Sequence, residues 1–197
     1  LKPEYLQSRG LSLRTQKHYM IGTDDKWIHP VIKKRREKEK KPISDIMYSP
    51  RCIIPTSRYS YLARDTRNKL EGIQKKLAKS KCGAQTLFNT KYSSSKDIVF
   101  VTEGEIDAMS IYEASQGKYE AVGLGSISCW RGFVKECEPD GDLADKSVIL
   151  MLDNDKGGLS CREILTEALE NINVKVIYAE YPDKDPNEAL CNHKTEL

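Results

Sequence analysis

The sequence predicts an α/β chain in two parts: a small basic α+β segment over residues 1–95, then a mostly parallel sheet flanked by helices over 96–197. Three observations predict it. First, two apolar, β-rich runs, 98–102 and 148–152, each give way at once to an acidic turn, as buried parallel strands do at their carboxyl ends. Second, helical periodicity alternates with short strand-like runs between and after them. Third, charge divides along the chain. Residues 1–97 hold 23 Lys/Arg against 9 Asp/Glu, and residues 98–197 hold 9 against 20, within a total of only +3.

Residues 3–9 read as a short helix stopped by Gly10, and Ser12 as the N-cap of a second helix to about Met20, with Gly22 beyond it. The run from Lys33 to Lys41, closed by Pro42, reads as a mobile loop or a solvated face, with direct nucleic-acid contact as the alternative. Residues 51–55 and 59–65 have antiparallel β character, with Pro55 at a strand end or edge. The basic stretch 67–81 is partly helical, 93–95 reads as a serine linker, and the acidic part begins near Lys96. There follow a strand at 98–102, a helix at about 107–116, a strand near 121–124, a helix around 130–137, a strand at 147–152, a helix at 159–170 and a strand at 174–178. A last helix opens at Asp185-Pro186-Asn187-Glu188, a capping-box pattern.

Composition excludes several classes. No apolar stretch is long enough to span a bilayer, and the polar start does not read as a signal peptide. Leu1 in place of Met reads as the start of a fragment. The six cysteines form no C-x-x-C pair and histidines are few, so neither a zinc site nor a secreted disulfide framework is expected, and the cysteines read as the reduced thiols of a cytoplasmic protein. A basic half beside an acidic half suits an enzyme that neutralises phosphates on one surface and holds metal on another. Two unrelated solvated surfaces would give the same split.

The acidic turns carry the chemistry. Glu103 stands where a buried strand ends, with Gly104 permitting a tight bend. Asp107, four residues on, reads equally as a metal ligand or as an acid at a helix N-terminus. Asp153 and Asp155 are two apart, which in extended backbone turns both to one side. Asp183 and Asp185 follow a later strand and add to the same pocket, although Asp185 also reads as an N-cap. Gathered carboxylates repel one another and call for a hard cation such as Mg²⁺ or Mn²⁺. Gly123 and Gly125, after the middle strand, read as a loop that lets a substrate backbone approach.

Together, Glu103-Gly104 with Asp107, Gly123 with Gly125, and Asp153-x-Asp155-x-Gly157 resemble the toprim domain shared by primases, topoisomerases and some nucleases, over roughly residues 96–190. The flanks resemble the RNA-polymerase core of DnaG-type primases: Tyr5 to Ser12, Arg51-Cys52-Ile53-Ile54-Pro55, Tyr61 to Asp65 and Leu87-Phe88-Asn89. Asn187 stands where that family usually carries a further Asp. The basic segment is shorter than in cellular primases, which implies a phage or mobile-element enzyme.

The resemblance implies metal-dependent synthesis of RNA primers from ribonucleoside triphosphates on single-stranded DNA, with a replicative helicase or helicase domain as partner. Glu103, Asp153 and Asp155 would be catalytic and, with Asp107, Asp183 and Asp185, would form the metal set. Arg51, Arg64, Arg67, Lys69 and Lys81, with Gly123 and Gly125, would meet nucleic acid or nucleotide. A toprim nuclease, a topoisomerase fragment and a non-catalytic DNA-binding toprim module remain as alternatives. So, more distantly, does a phosphoacceptor receiver domain.

Overall fold

A computed structural model describes residues 4–84, 86–93 and 97–193. In chain order its elements are α1 (Glu4–Gln7), α2 (Leu13–His18), β1 (Gly22–Trp27), α3 (Pro30–Lys38), β2 (Ser49–Ser57), β3 (Ser60–Asp65), α4 (Gly72–Lys76), β4 (Lys79–Cys82), α5 (Thr90–Ser93), β5 (Ile98–Thr102), α6 (Glu105–Ala114), β6 (Ala121–Gly123), α7 (Trp130–Cys137), β7 (Ser147–Met151), α8 (Lys156–Glu170), β8 (Val176–Tyr178) and α9 (Pro186–His193). Two short 3₁₀ turns, Asp45–Met47 and Ile127–Cys129, complete them. Pro3, Gln85, Ser94, Ser95 and Lys96, on which parts of the expected first helix, linker and boundary fell, lie outside the described residues.

The chain divides into two compact units. One holds residues 1–5 and 16–85, the other 6–15 and 86–197. The acidic unit thus draws in a segment from near the N-terminus and takes in residues from Thr86 onward, rather than starting at Lys96.

The basic unit is built on an antiparallel sheet in the order β1-β2-β3-β4. Register sets its faces. Arg51 pairs with Asp65, Ile53 with Ala63 and Tyr61 with Cys82, so these share one face around a core of Trp27, Ala63 and Cys82. Cys52 pairs with Arg64, Arg64 with Lys79 and Leu62 with Lys81, which places Arg64, Lys79 and Lys81 on the opposite face. Pro55 lies beyond the stretch of β2 that pairs with β1, so its missing N–H costs no ladder bond on that side. The charged run 33–41 largely forms helix α3, not a loop, and α3 buries none of its residues. Strand β4, inside the basic 67–81 stretch, was not expected.

The acidic unit is a parallel sheet in the order β6-β5-β7-β8. Its core gathers Val99, Val101, Val122, Val148, Leu150 and Leu152 from the strands and their ends, with Phe133 from α7 and Leu165 and Leu169 from α8. Strands β5 and β7 are apolar apart from Thr102 and Ser147 at their ends, as strands covered on both faces are. Helix α8 starts at Lys156, three residues before its expected start, because Asp155 caps it: Asp155 Oδ1 accepts from the Gly157 and Gly158 amides at 2.9 and 3.0 Å. Residues 6–15 are strapped to this unit. Leu6 and Leu11 are buried, and Glu113 of α6 accepts from the Ser12 amide at 3.0 Å, the Ser12 hydroxyl at 2.8 Å and the Thr15 hydroxyl. The Ser12 cap of α2 forms as expected, with Thr15 N donating to Ser12 Oγ at 3.3 Å, but the helix ends two residues before Met20.

Candidate active site

Strands β5 and β7 run side by side with Thr102 opposite Met151, so the turns after them open at one edge of the sheet, where ligands of such folds bind. After β5, Glu103 is half-buried and Gly104 leads into α6, with Thr102 Oγ1 donating to the Gly104 carbonyl at 3.0 Å. A Cβ on residue 104 would stand 2.6 Å from Asp107 Oδ2, so the glycine leaves room for that carboxylate. Asp107 Oδ1 accepts from the Asn187 amide at 3.3 Å, which places it at the N-terminal end of α9 as well as in the first turn of α6.

After β6, Gly123 exchanges backbone bonds with Phe88 at 2.8 and 3.2 Å. A Cβ there would meet the Gly104 carbonyl oxygen at 3.0 Å. Gly125 takes φ +72° and donates its amide to the Glu103 carbonyl at 2.8 Å. Gly125 therefore ties the β6 loop to the β5 turn, and Gly123 leaves room for the Gly104 carbonyl.

Asp153 is strongly perturbed. Burial pushes its carboxyl up to about 7, and the neighbouring charges of Asp107, Glu103 and Asp185 push the same way, against a smaller pull from Lys184. Its Oδ1 is buried with no hydrogen-bond partner among the described residues. Asp155 behaves oppositely. The Gly158 amide, helped by that of Gly157 and the charge of Lys184, holds its carboxyl below the usual range and outweighs the cost of burial. Asp155 is not among the charges acting on Asp153. Strand β7 ends at Met151, so the two-residue alternation that would turn both aspartates to one side has lapsed before it reaches them.

Asp185 caps α9 by accepting from the Glu188 amide at 2.8 Å, while Glu188 reaches back to the Lys184 amide at 2.8 Å, one residue before the amide of an ideal capping box. Asp183 is tied to the far end of the same helix, with Oδ1 on Asn192 Nδ2 at 2.6 Å and Oδ2 3.0 Å from His193 Nε2. Glu103, Asp107 and Asp185 thus each act electrostatically on Asp153. Asp183 faces the end of α9, and its Oδ2 is buried without a hydrogen bond among the described residues. Among the described residues no group of three or more His, Cys, Asp or Glu is arranged to enclose an ion.

Sequence reasoning passed over Asn154. Its amide donates to the Lys184 carbonyl at 2.6 Å, and its Nδ2 donates to the carbonyls of Tyr181 and Asp183 at 3.0 and 2.7 Å. Tyr181 Oη donates to the Leu152 carbonyl at 2.5 Å. Between them they clip the two acidic loops together. The only signal in the sequence was an Asn between two aspartates, which is common in loops.

Of the basic residues expected to meet nucleic acid, Arg64, Lys69 and Lys81 differ from Arg51 and Arg67. Lys69 and Lys81 are exposed, and Arg64 is half-buried with Nε on the Tyr5 hydroxyl at 3.3 Å. Arg51 is buried: it donates to Ser49 Oγ and to the carbonyls of Leu77 and Ala78, lies 4.6 Å over the Trp27 ring and stands 3.5 Å from Asp65. Arg67 grips Asp65 with two bonds, 2.9 and 2.7 Å. The donors of Arg51 are spent inside the unit, because register places it on the core face. All six cysteines are free, and burial pushes the Cys52 and Cys137 thiols up to about 12. No helix among the described residues is long and apolar enough to cross a membrane.

A sheet edge of this topology, with an acid-glycine turn after one strand and an Asp-x-Asp turn after its neighbour, defines a toprim-type site. Residues 100–190 match the family described as Toprim-like. A curated relative, the DNA helicase/primase of Enterobacteria phage T3, is 37% identical over 99 residues, which is 49% of this chain and 17% of that protein. The chain therefore spans about a sixth of that relative's length. The primase fragment of the bacteriophage T7 primase-helicase superposes on 97% of this chain and 69% of its own, with a TM-score of 0.69 and 20% identity. A DnaG primase catalytic domain bound to single-stranded DNA superposes on 98% of this chain and 69% of its own, with a TM-score of 0.62 and 15% identity. Residues 100–190 thus resemble the toprim family, and the chain shares the fold of these primase fragments.

Proposed function

We propose that this chain is the catalytic core of a DNA primase, a nucleotidyltransferase that builds RNA primers from ribonucleoside triphosphates on single-stranded DNA during replication of a phage or mobile element. One observation carries the reading: the likeness to a primase fragment extends over 97% of the chain, so the basic sheet accompanies the acidic one. The acidic edge alone would suit hydrolysis equally well. The basic unit adds cations of the kind that hold a template by its phosphates.

The residues at the edge fit a divalent ion. All are hard oxygen donors, one Asp153 oxygen is bare of partners, and a cation would offset the burial and repulsion that lift Asp153. Mg²⁺ keeps several waters and takes one or two carboxylates together with substrate phosphates, so it does not need a cage of three protein ligands. We assign Glu103 and Asp153 as its first holders, with Asp107 and Asp185 beside them. Asp155 and Asp183 support the site through the turns they fix. When bound, Mg²⁺ or Mn²⁺ polarises the α-phosphate and stabilises the pyrophosphate leaving group. Glu103 is the alternative acceptor for the proton of the attacking 3′-hydroxyl. Lys184 offers a cation beside Asp153 and Asp155. Arg64, Lys69 and Lys81 are assigned to template or nucleotide phosphates, and a replicative helicase or helicase domain is the expected partner.

The test is primer synthesis. With single-stranded templates, ribonucleotides and Mg²⁺ or Mn²⁺, the chain should yield short RNA products, and Asp153→Ala should lower the yield by about 100-fold or more. Products that persist in the variant would overturn the site. Cleaved template without synthesis would point to a nuclease, and DNA binding with neither reaction to a non-catalytic module.

A further inference from the structure

Helix α3 sits where the fold needs almost nothing. β1 and β2 are adjacent antiparallel strands, with Trp27 opposite Ser49, and a connection of about two to five residues would join them. Residues 28–48 fill that connection instead, and the nine-residue helix within them buries no residue. A helix of this length is marginal alone in water, and this one gains no burial to offset its ordering. It therefore does little for the stability of the sheet that carries it.

What it does present is charge. Residues 33–41 hold seven Lys/Arg and two Glu. Glu39 engages Arg35 and Lys41, each at 2.9 Å. The side chains of Lys33, Lys34, Arg36 and Lys38 make no ion pair among the described residues. At about 100° per residue these four spread over roughly 200° of the helix surface rather than along one stripe. A folded protein partner would meet one face and want apolar anchors there, whereas the exposed apolar residues of this helix, Val31 and Ile32, are confined to its first turn. Cations spread over more than half of the helix suit a flexible polyanion, which can wrap and release counterions without a fixed register.

We infer that α3 is an added phosphate-backbone contact for a single-stranded polynucleotide, separate from Arg64, Lys69 and Lys81. The inference rests on the polynucleotide-handling function proposed above. It predicts that the helix raises affinity without base preference and takes no part in the chemistry.

The experiment measures binding of a fluorescent oligothymidylate to the 197-residue chain across a salt series. It compares wild type with Lys33→Gln/Lys34→Gln/Arg36→Gln/Lys38→Gln, which leaves the Arg35–Glu39 pair in place. Each single-strand phosphate contact contributes about 0.7 to the log–log salt slope, so the variant should be shallower by about 2 to 3 and bind at least about tenfold more weakly at low salt. A charge-keeping variant, Lys33→Arg/Lys34→Arg/Lys38→Arg, should match wild type. The melting temperature should not move, since no buried side chain is touched. Primer synthesis at saturating template should likewise be unchanged. If wild type binds and primes while the Gln variant keeps the wild-type slope, this inference falls alone. If wild type binds no polynucleotide at any salt, both readings fall.

Discussion

Asn187 shows how one side chain can decide the character of a position. It is 1% exposed, and its amide works in both directions. Nδ2 donates to the Arg9 carbonyl at 2.8 Å and to Ser110 Oγ at 2.9 Å, while Oδ1 accepts from the Arg9 guanidinium at 3.2 Å. A carboxylate is acceptor-only and cannot make the first two bonds. The Asn that breaks the expected acidic pattern is thus a bracket joining the N-terminal strap, α6 and α9. Asn187→Asp should lose about 1–3 kcal/mol in urea unfolding, through two unmade bonds and a buried charge near Asp107. Wild-type stability in that variant would contradict this account. From sequence alone Asn187 reads only as a missing acid, because its partners lie as far away as residue 9. Asp185, whose partner is three residues on, is legible as a cap.

At the scale of elements, the parity of a strand separates arginines that composition cannot. Arg51 and Arg64 both lie in the basic sheet, yet register turns Arg51 to the core face and Arg64 to the other. Burial draws the Arg51 guanidinium down from its usual range, with Asp65 working against that. Burial alone would raise Asp65, but the bonds from Arg67 and the charge of Arg51 outweigh it and hold its carboxyl low. The pair is ionised and closed to solvent, with side chains 3% and 0% exposed. Asp65→Ala should therefore cost about 3–5 kcal/mol, because it strands the buried Arg51 charge. Arg67→Gln, on the exposed side of the same acid, should cost about 1 kcal/mol or less. Comparable losses in the two variants, measured by denaturant titration, would mean that Asp65 matters no more to the buried arginine than to the exposed one. Strands β5 and β7 of the acidic unit are legible because five-residue apolar runs ending in acids admit few alternatives. β4 is not, since Lys79-Ser80-Lys81-Cys82 is half lysine and its alternation emerges only against β3. α3 reads as a loop or solvated face because its helical period carries no apolar stripe.

For the whole molecule, the acidic edge makes stability depend on pH. Asp153 titrates near 7 in the folded chain without metal, against an ordinary 3.8. Between those values the folded state binds a proton that the unfolded state has released, so this group's contribution to stability falls as pH rises through the window and levels above it. Asp153→Asn should remove that slope. Melting temperatures from pH 4 to 8 should converge at the acid end, with the variant the more stable at the alkaline end. Mg²⁺ added at pH 8 should raise wild type and leave the variant unmoved. Parallel curves for the two proteins would refute the assignment of Asp153 as the strained acid. The two-part organisation is legible in the charge split. The membership of residues 6–15 is not, because nothing local in that stretch records that its partners are Glu113 and Asn187.

That strap has a consequence for the order in which the molecule is made. Residues 16–85 complete their own sheet from contiguous chain, so the basic unit can fold while the ribosome is still adding the rest. The acidic unit cannot. Its first segment waits for a partner 178 positions later, the Arg9–Asn187 bond, and that contact forms only once α9 has left the exit tunnel. Until then the Asn187 side of that bracket is missing, although Glu113 of α6 can already hold Ser12 and Thr15.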